Sequence, residues 1–140
     1  MDQSLIFGPM GALVALTFLV LFTVPIARFR AARQKHVSTE DFKYGESPRV
    51  PPATSIPNRN YMNLLEMPLL FYVLCLTLFV TERVTGLQMG LAWAYFSLRA
   101  LHSLVHLTIN QVMLRLALFG LSSMVLMIMW LLFYFGPRPA

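Results

Sequence analysis

Four apolar stretches, each long enough to cross a bilayer, leave this chain of 140 residues little choice of fold. They cover about Leu5–Ala27, Tyr61–Val80, Leu87–Ile109 and Val112–Phe135. A transmembrane helix needs about 20 predominantly apolar residues. Inside lipid every backbone polar group must be satisfied internally, so apolar spans of this length become helices. Residues 87–135 are too long for a single crossing, and Thr108-Ile109-Asn110-Gln111 is the polar break where the chain must turn. The expected architecture is an all-α membrane protein, a four-transmembrane-helix bundle that forms one domain over residues 1–140, with a single long loop at 28–60.

Composition supports the assignment. Hydrophobic residues make up 57% of the chain and charged residues 12%, with a mean hydropathy of +0.64, whereas soluble domains carry about 25% charged residues. The first stretch opens Met1-Asp2-Gln3 without a basic leader and exceeds a signal-peptide core, so it is expected to be retained. The single cysteine, Cys75, excludes an intrachain disulfide and reads as a packing residue. The net charge of +5 does not indicate nucleic acid. Its excess lies in loop 28–60, where Arg28, Arg30, Arg33, Lys35, Lys43, Arg49 and Arg59 face Glu40, Asp41 and Glu46. Basic residues concentrated in one juxtamembrane loop follow the positive-inside rule. They place the loop in the cytoplasm and both termini opposite, and they suit anionic membrane lipids.

Helix 1 should end at Arg28-Phe29-Arg30. The Pro-rich stretch from Glu46 to Pro57 should be extended, Asn58 can cap helix 2, and Pro68 should kink that helix beside Glu66. Two polar stripes interrupt the apolar spans. At 100° per residue, Arg59, Asn63 and Glu66 share one face of helix 2, and Arg99, His102, His106 and Asn110 share one face of helix 3. A charge at bilayer depth costs roughly 2.5 kcal/mol or more, so such groups mark functional sites unless they pair with one another. With Arg28 closing helix 1 and Arg115 opening helix 4, all four helices bring polar groups to the loop end. The implied pocket is cationic, built from Arg28, Arg59, Arg99 and Arg115 against Glu66. Guanidinium groups grip carboxylates in a bidentate way, so the fitting ligand is a small anion with more than one carboxylate. Glu66 either neutralises an arginine across helices or accepts a ligand ammonium. His102 and His106 have i, i+4 metal-ligand spacing but lack further ligands, and no metal site is expected.

The ordered set Arg59-x3-Asn63-x2-Glu66 with Pro68, then Arg99-x2-His102-x3-His106, then Arg115, resembles the MAPEG family, the membrane-associated proteins in eicosanoid and glutathione metabolism. The likeness spans nearly the whole chain. It implies a homotrimer with glutathione as cofactor, bound between neighbouring protomers near the cytoplasmic face. It also implies that Arg115 and Arg28 are catalytic, holding or activating the thiol, while Arg59, Asn63, Glu66, Arg99, His102 and His106 grip the peptide. Glutathione-using members of the family often carry a tyrosine at the position of His106 and a basic residue at that of Met62. The His102-x3-His106-x3-Asn110 pattern is closer to small bacterial members. The function implied is a glutathione-dependent transferase or peroxidase acting on small lipophilic electrophiles from the bilayer. The alternative is a non-catalytic protein holding an anionic lipid or fatty acid in the same pocket. A proton-driven exporter using Glu66 fits less well, because the polar groups stop halfway across.

Overall fold

The computed structural model describes residues 1–137; the last three positions of the 1–140 domain lie outside the described residues. Five helices, α1 (Phe7–Arg33), α2 (Pro52–Leu65), α3 (Met67–Val80), α4 (Gly86–Leu107) and α5 (Val112–Phe135), form four rods, because α2 and α3 are two halves of one crossing. A single 3-10 turn, Gln3–Ile6, leads into α1, and another, Thr39–Phe42, lies in the loop. Among the described residues there is no strand.

Two helix ends differ from the sequence expectation. α1 continues to Arg33, beyond its apolar stretch, because Arg28 to Arg33 are good helix formers that need no lipid around them. It stops where Lys35 takes a left-handed conformation (φ 58°) and the His36 N–H reaches back to the Ala31 carbonyl at 3.1 Å. The second rod begins at Pro52, nine residues before the apolar stretch does, so the Pro-rich segment is helical from Pro52 on, where an extended chain was expected, and non-helical only up to Pro51. Proline suits the first helical turn, where its missing N–H would have no partner in any case. Asn58 therefore lies inside α2 and caps nothing.

The kink expected near Pro68 falls at Glu66 (φ −80°, ψ −91°). Pro68 has no N–H for the Leu64 carbonyl, and its ring would clash with that carbonyl in a straight helix. The turns on either side of α4 are tight. Glu82 (φ 54°) and Asn110 (φ 51°) each adopt the left-handed conformation. The Arg83 and Asn110 N–H groups then return to the Leu78 and Val105 carbonyls at 2.9 and 2.7 Å.

The bundle is apolar outside as well as inside. Leu13, Val20, Leu64, Phe71, Leu74, Leu78, Leu126 and Met129 form the core, with the Phe71 and Tyr95 rings stacked at 4.6 Å. Phe18, Leu19, Phe22, Val80, Leu116 and Met127 point outward. Three rods, Gln3–Arg33, Pro52–Val80 and Val112–Phe135, are long and apolar enough to span a membrane, and the chain is an integral, multi-pass membrane protein. α4 is the polar rod: its inward face carries Gln88, Arg99, His102, Ser103 and His106, and it packs chiefly against α5 and α1.

The loop from 34 to 51 is ordered around Asp41. Its carboxylate accepts from the Ser38 N–H (2.8 Å), the Ser47 hydroxyl (2.7 Å) and the Arg49 guanidinium (2.9 Å), and the side chain is 3% exposed. Hydrogen bonds from Ser38 and Ser47, with the Arg49 charge beside them, pull its pKa down to about 2. Val37, Val50 and Ala31 form a small apolar cluster under this turn, with Phe42 against it.

Candidate functional site

The two polar stripes point in different directions. On α2 and α3 the core-facing positions are Asn60, Leu64, Pro68, Phe71 and Cys75. Arg59 and Glu66 fall on the opposite side and are exposed on the outer surface of the bundle, with Asn63 half-buried between them. On α4 the stripe faces inward: Arg99, His102, Ser103 and His106 are all buried. One hydrogen bond joins the stripes, from Arg99 Nη2 to the Asn63 carbonyl. It fixes the level of the antiparallel rods and brings the α4 cluster behind the Arg59–Glu66 face.

Arg99 is wholly buried, yet its Nε and Nη1 have no partner within the described residues. Its guanidinium lies 5.4 Å over the Phe119 ring, and His102 packs against the same ring at 6.1 Å. His102 and His106 meet edge to face with ring centres 5.7 Å apart, and Nδ1 of each has no partner among the described residues. Glu66 makes no ion pair with Arg59 or Arg99 among the described residues, whose three salt bridges all lie in the loop and at its junction with α1.

Arg115 sits in the first turn of α5, where Nη1 donates to Asn110 Oδ1 at 2.7 Å while its buried Nε has no partner among the described residues. The left-handed backbone of Asn110 aims that amide back along α5. Asparagine tolerates this conformation better than most residues. Arg28 is placed elsewhere. It pairs with Glu46 at 3.5 Å and stacks on Phe42 at 4.8 Å. It lines a groove of about 400 Å³ whose walls include Leu21, Val24, Phe29 and Val37. No hydrogen bond or ion pair among the described residues links it to the α4 cluster.

Two contributors were not singled out from the sequence. Asn60 is wholly buried, with neither end of its amide paired among the described residues. Its signal was present, a polar residue in register with Leu64, Pro68 and Phe71 on the core stripe. Phe119, the ring beneath Arg99 and His102, carried no signal of its own in an apolar span. Chemically, the assembly offers unused N–H donors from three arginine and asparagine side chains beside an exposed acid. That arrangement suits an anionic, multiply hydrogen-bonding ligand which also carries a cationic group. Three or more clustered His, Cys, Asp or Glu side chains, as a metal site would need, are not found among the described residues.

The family model of the MAPEG family matches residues 6–135. No curated protein and no solved structure matches the chain.

Proposed function

The chain belongs to the MAPEG family, and from that premise we propose that it is a glutathione-dependent transferase or peroxidase acting on lipophilic electrophiles, working as a homotrimer with loop 28–60 in the cytoplasm and both termini opposite. The observation that carries this reading is the incomplete pairing around Arg99. A buried guanidinium with two unpaired nitrogens lies behind an exposed arginine and glutamate on a membrane-spanning rod. Unpaired charge against lipid is costly, so a neighbouring protomer and a polar ligand are needed to cover that face. Glutathione supplies the complementary groups: two carboxylates for Arg59 and Arg99, an ammonium for Glu66, and amides for Asn63, His102 and His106.

Arg115 then holds the sulfur as thiolate, since an adjacent guanidinium lowers a thiol pKa, and its Asn110 hydrogen bond fixes the guanidinium plane. The thiolate attacks the electrophilic carbon of a substrate from the bilayer, a carbon–sulfur bond forms, and the leaving group departs. Arg28 lies apart from the α4 cluster of its own chain, paired with Glu46, so in the trimer it would assist at the site of a neighbouring protomer. The test is glutathione binding to the detergent-purified protein by calorimetry, beside an Arg59→Ala, Glu66→Ala double variant. Binding at sub-millimolar to millimolar affinity that disappears in the variant is the expected result, and a folded wild-type protein that binds no glutathione overturns the reading.

One observation favours the second reading, a non-catalytic binder of an anionic lipid or fatty acid. Arg28 lies in a mostly apolar groove along the last turns of α1, with Ser38 and Thr39 at its rim, which suits a carboxylate that carries an acyl chain. That reading predicts a lipid carried through purification and no thiol conjugation.

A further inference from the structure

The end of the bundle away from the loop holds a second polar pocket. Along α4, Gln88 stands about 16 Å from Arg99, so this pocket is separate from the candidate glutathione site. It is a cavity of about 90 Å³ with Leu78, Leu87, Leu132 and Phe133 as apolar walls and Arg83, Thr85 and Gln88 as its polar side chains; the Thr85 hydroxyl accepts from the Gln88 N–H. Gln88 is 4% exposed, and its Nε2 donates to the Met129 carbonyl at 3.1 Å. A carbonyl can only accept, so this bond fixes which way the amide points. Among the described residues no donor reaches the buried Oε1. A buried acceptor without a partner is costly and calls for a ligand that brings an N–H group. Arg83 stands at the same pocket, held by a hydrogen bond from Nη2 to the Gly136 carbonyl (3.3 Å) and by stacking over Phe133 at 4.9 Å. A guanidinium has five N–H donors, so this anchoring leaves others for an anion. Glu82, next in the chain, is exposed at the turn.

We propose that this pocket is a headgroup site for a phospholipid with a primary ammonium, an ethanolamine phospholipid. Its phosphodiester sits on Arg83, its ammonium donates to Gln88 Oε1, and its chains lie along the exposed Leu87 flank. The pocket combines an anchored cation, a buried orphan acceptor and apolar walls at the level where headgroups meet acyl chains. The cavity also has room for about three waters, and a choline headgroup, which has no N–H, separates the two cases.

The test is retention of phosphatidylethanolamine against phosphatidylcholine of the same chains by the delipidated full-length protein, read by native mass spectrometry. The site does not depend on glutathione, so the result stands whichever way the binding calorimetry falls. The wild-type protein should prefer the ethanolamine lipid by about fivefold, one hydrogen bond's worth. Gln88→Leu should bring the ratio to about one, and Arg83→Gln should weaken both lipids. Leu132→Trp, which fills the cavity without removing a polar group, should also abolish the preference. Equal retention by the wild-type protein would mean that the cavity holds water only, and a preference surviving in Gln88→Leu and Leu132→Trp would place it elsewhere; either overturns the proposal.

Discussion

Asp41 and Arg99 are both charged and both nearly inaccessible, yet the protein treats them in opposite ways. Asp41, in the loop, has its carboxylate engaged by Ser38, Ser47 and Arg49. Arg99, in the middle of a membrane rod, has one backbone carbonyl and a ring face, with two nitrogens unmatched. A buried charge that is fully hydrogen-bonded organises structure. One that is partly matched is either an error in the fold or a place kept for something else. The comparison separates the charges that build this molecule from those that equip it.

The largest expected effect comes from replacing Arg99. Arg99→Leu should reduce glutathione affinity at least about 30-fold, since it removes one side of a buried charged contact. Its ligand-free thermal stability should stay the same or rise, because an apolar side chain replaces an unpaired charge. Strong destabilisation in the absence of ligand would make Arg99 a structural residue and erase the contrast with Asp41. Arg115→Ala should lower turnover about 100-fold, the scale set by loss of one donor to a developing anion, with the oligomeric state by light scattering unchanged. Retained turnover would remove Arg115 from the thiol end.

On the other side of the comparison, Asp41→Ala should leave the membrane rods intact and free the loop, read as faster proteolytic cutting between residues 34 and 51. The same contacts give a pH signature of known sign. The folded pKa of Asp41 lies below its ordinary value, so its contribution is complete above about pH 4 and is lost as pH falls through about 2. Loop protection in hydrogen exchange should therefore persist at pH 4 and fade only toward pH 2. A loop that melts above pH 5 would contradict this. The smallest effect is expected from Asn60→Leu, about 1 kcal/mol or less in either direction on the ligand-free protein, because it removes two unpaired polar atoms.

The rods were legible because a bilayer permits few structures and four apolar stretches of sufficient length announce themselves. The kink at Glu66 was legible from Pro68, whose chemistry acts locally. The start of α2 was not: Pro51 and Pro52 read as loop residues, but the first helical turn accepts them, and periodicity does not show where a water-facing helix starts outside the lipid. The candidate site residues were legible as types and depths, because charge within an apolar span stands out. Their directions were less so. Arg59 and Glu66 share a face, as spacing required, but that this face looks out of the protomer while the α4 stripe looks in depends on how the rods are rotated, and Asn60 rather than Arg59 occupies the inner register. Phe119 was invisible for the opposite reason, one phenylalanine among many lipid-facing candidates.

At the end far from the loop, Gln3 Oε1 accepts the Val84 N–H at 2.8 Å, and Gln3 Nε2 donates back to the Val84 carbonyl at 3.4 Å. The two residues are 81 positions apart, and Val84 precedes α4. This pair of hydrogen bonds acts as a latch between the lead-in to α1 and the turn that follows the Pro52–Val80 rod, and it involves no residue of α4. The latch uses no residue of α4 or α5, so the first two crossings are tied at that end independently of the polar rod α4, the least suited of the four to stand alone in lipid.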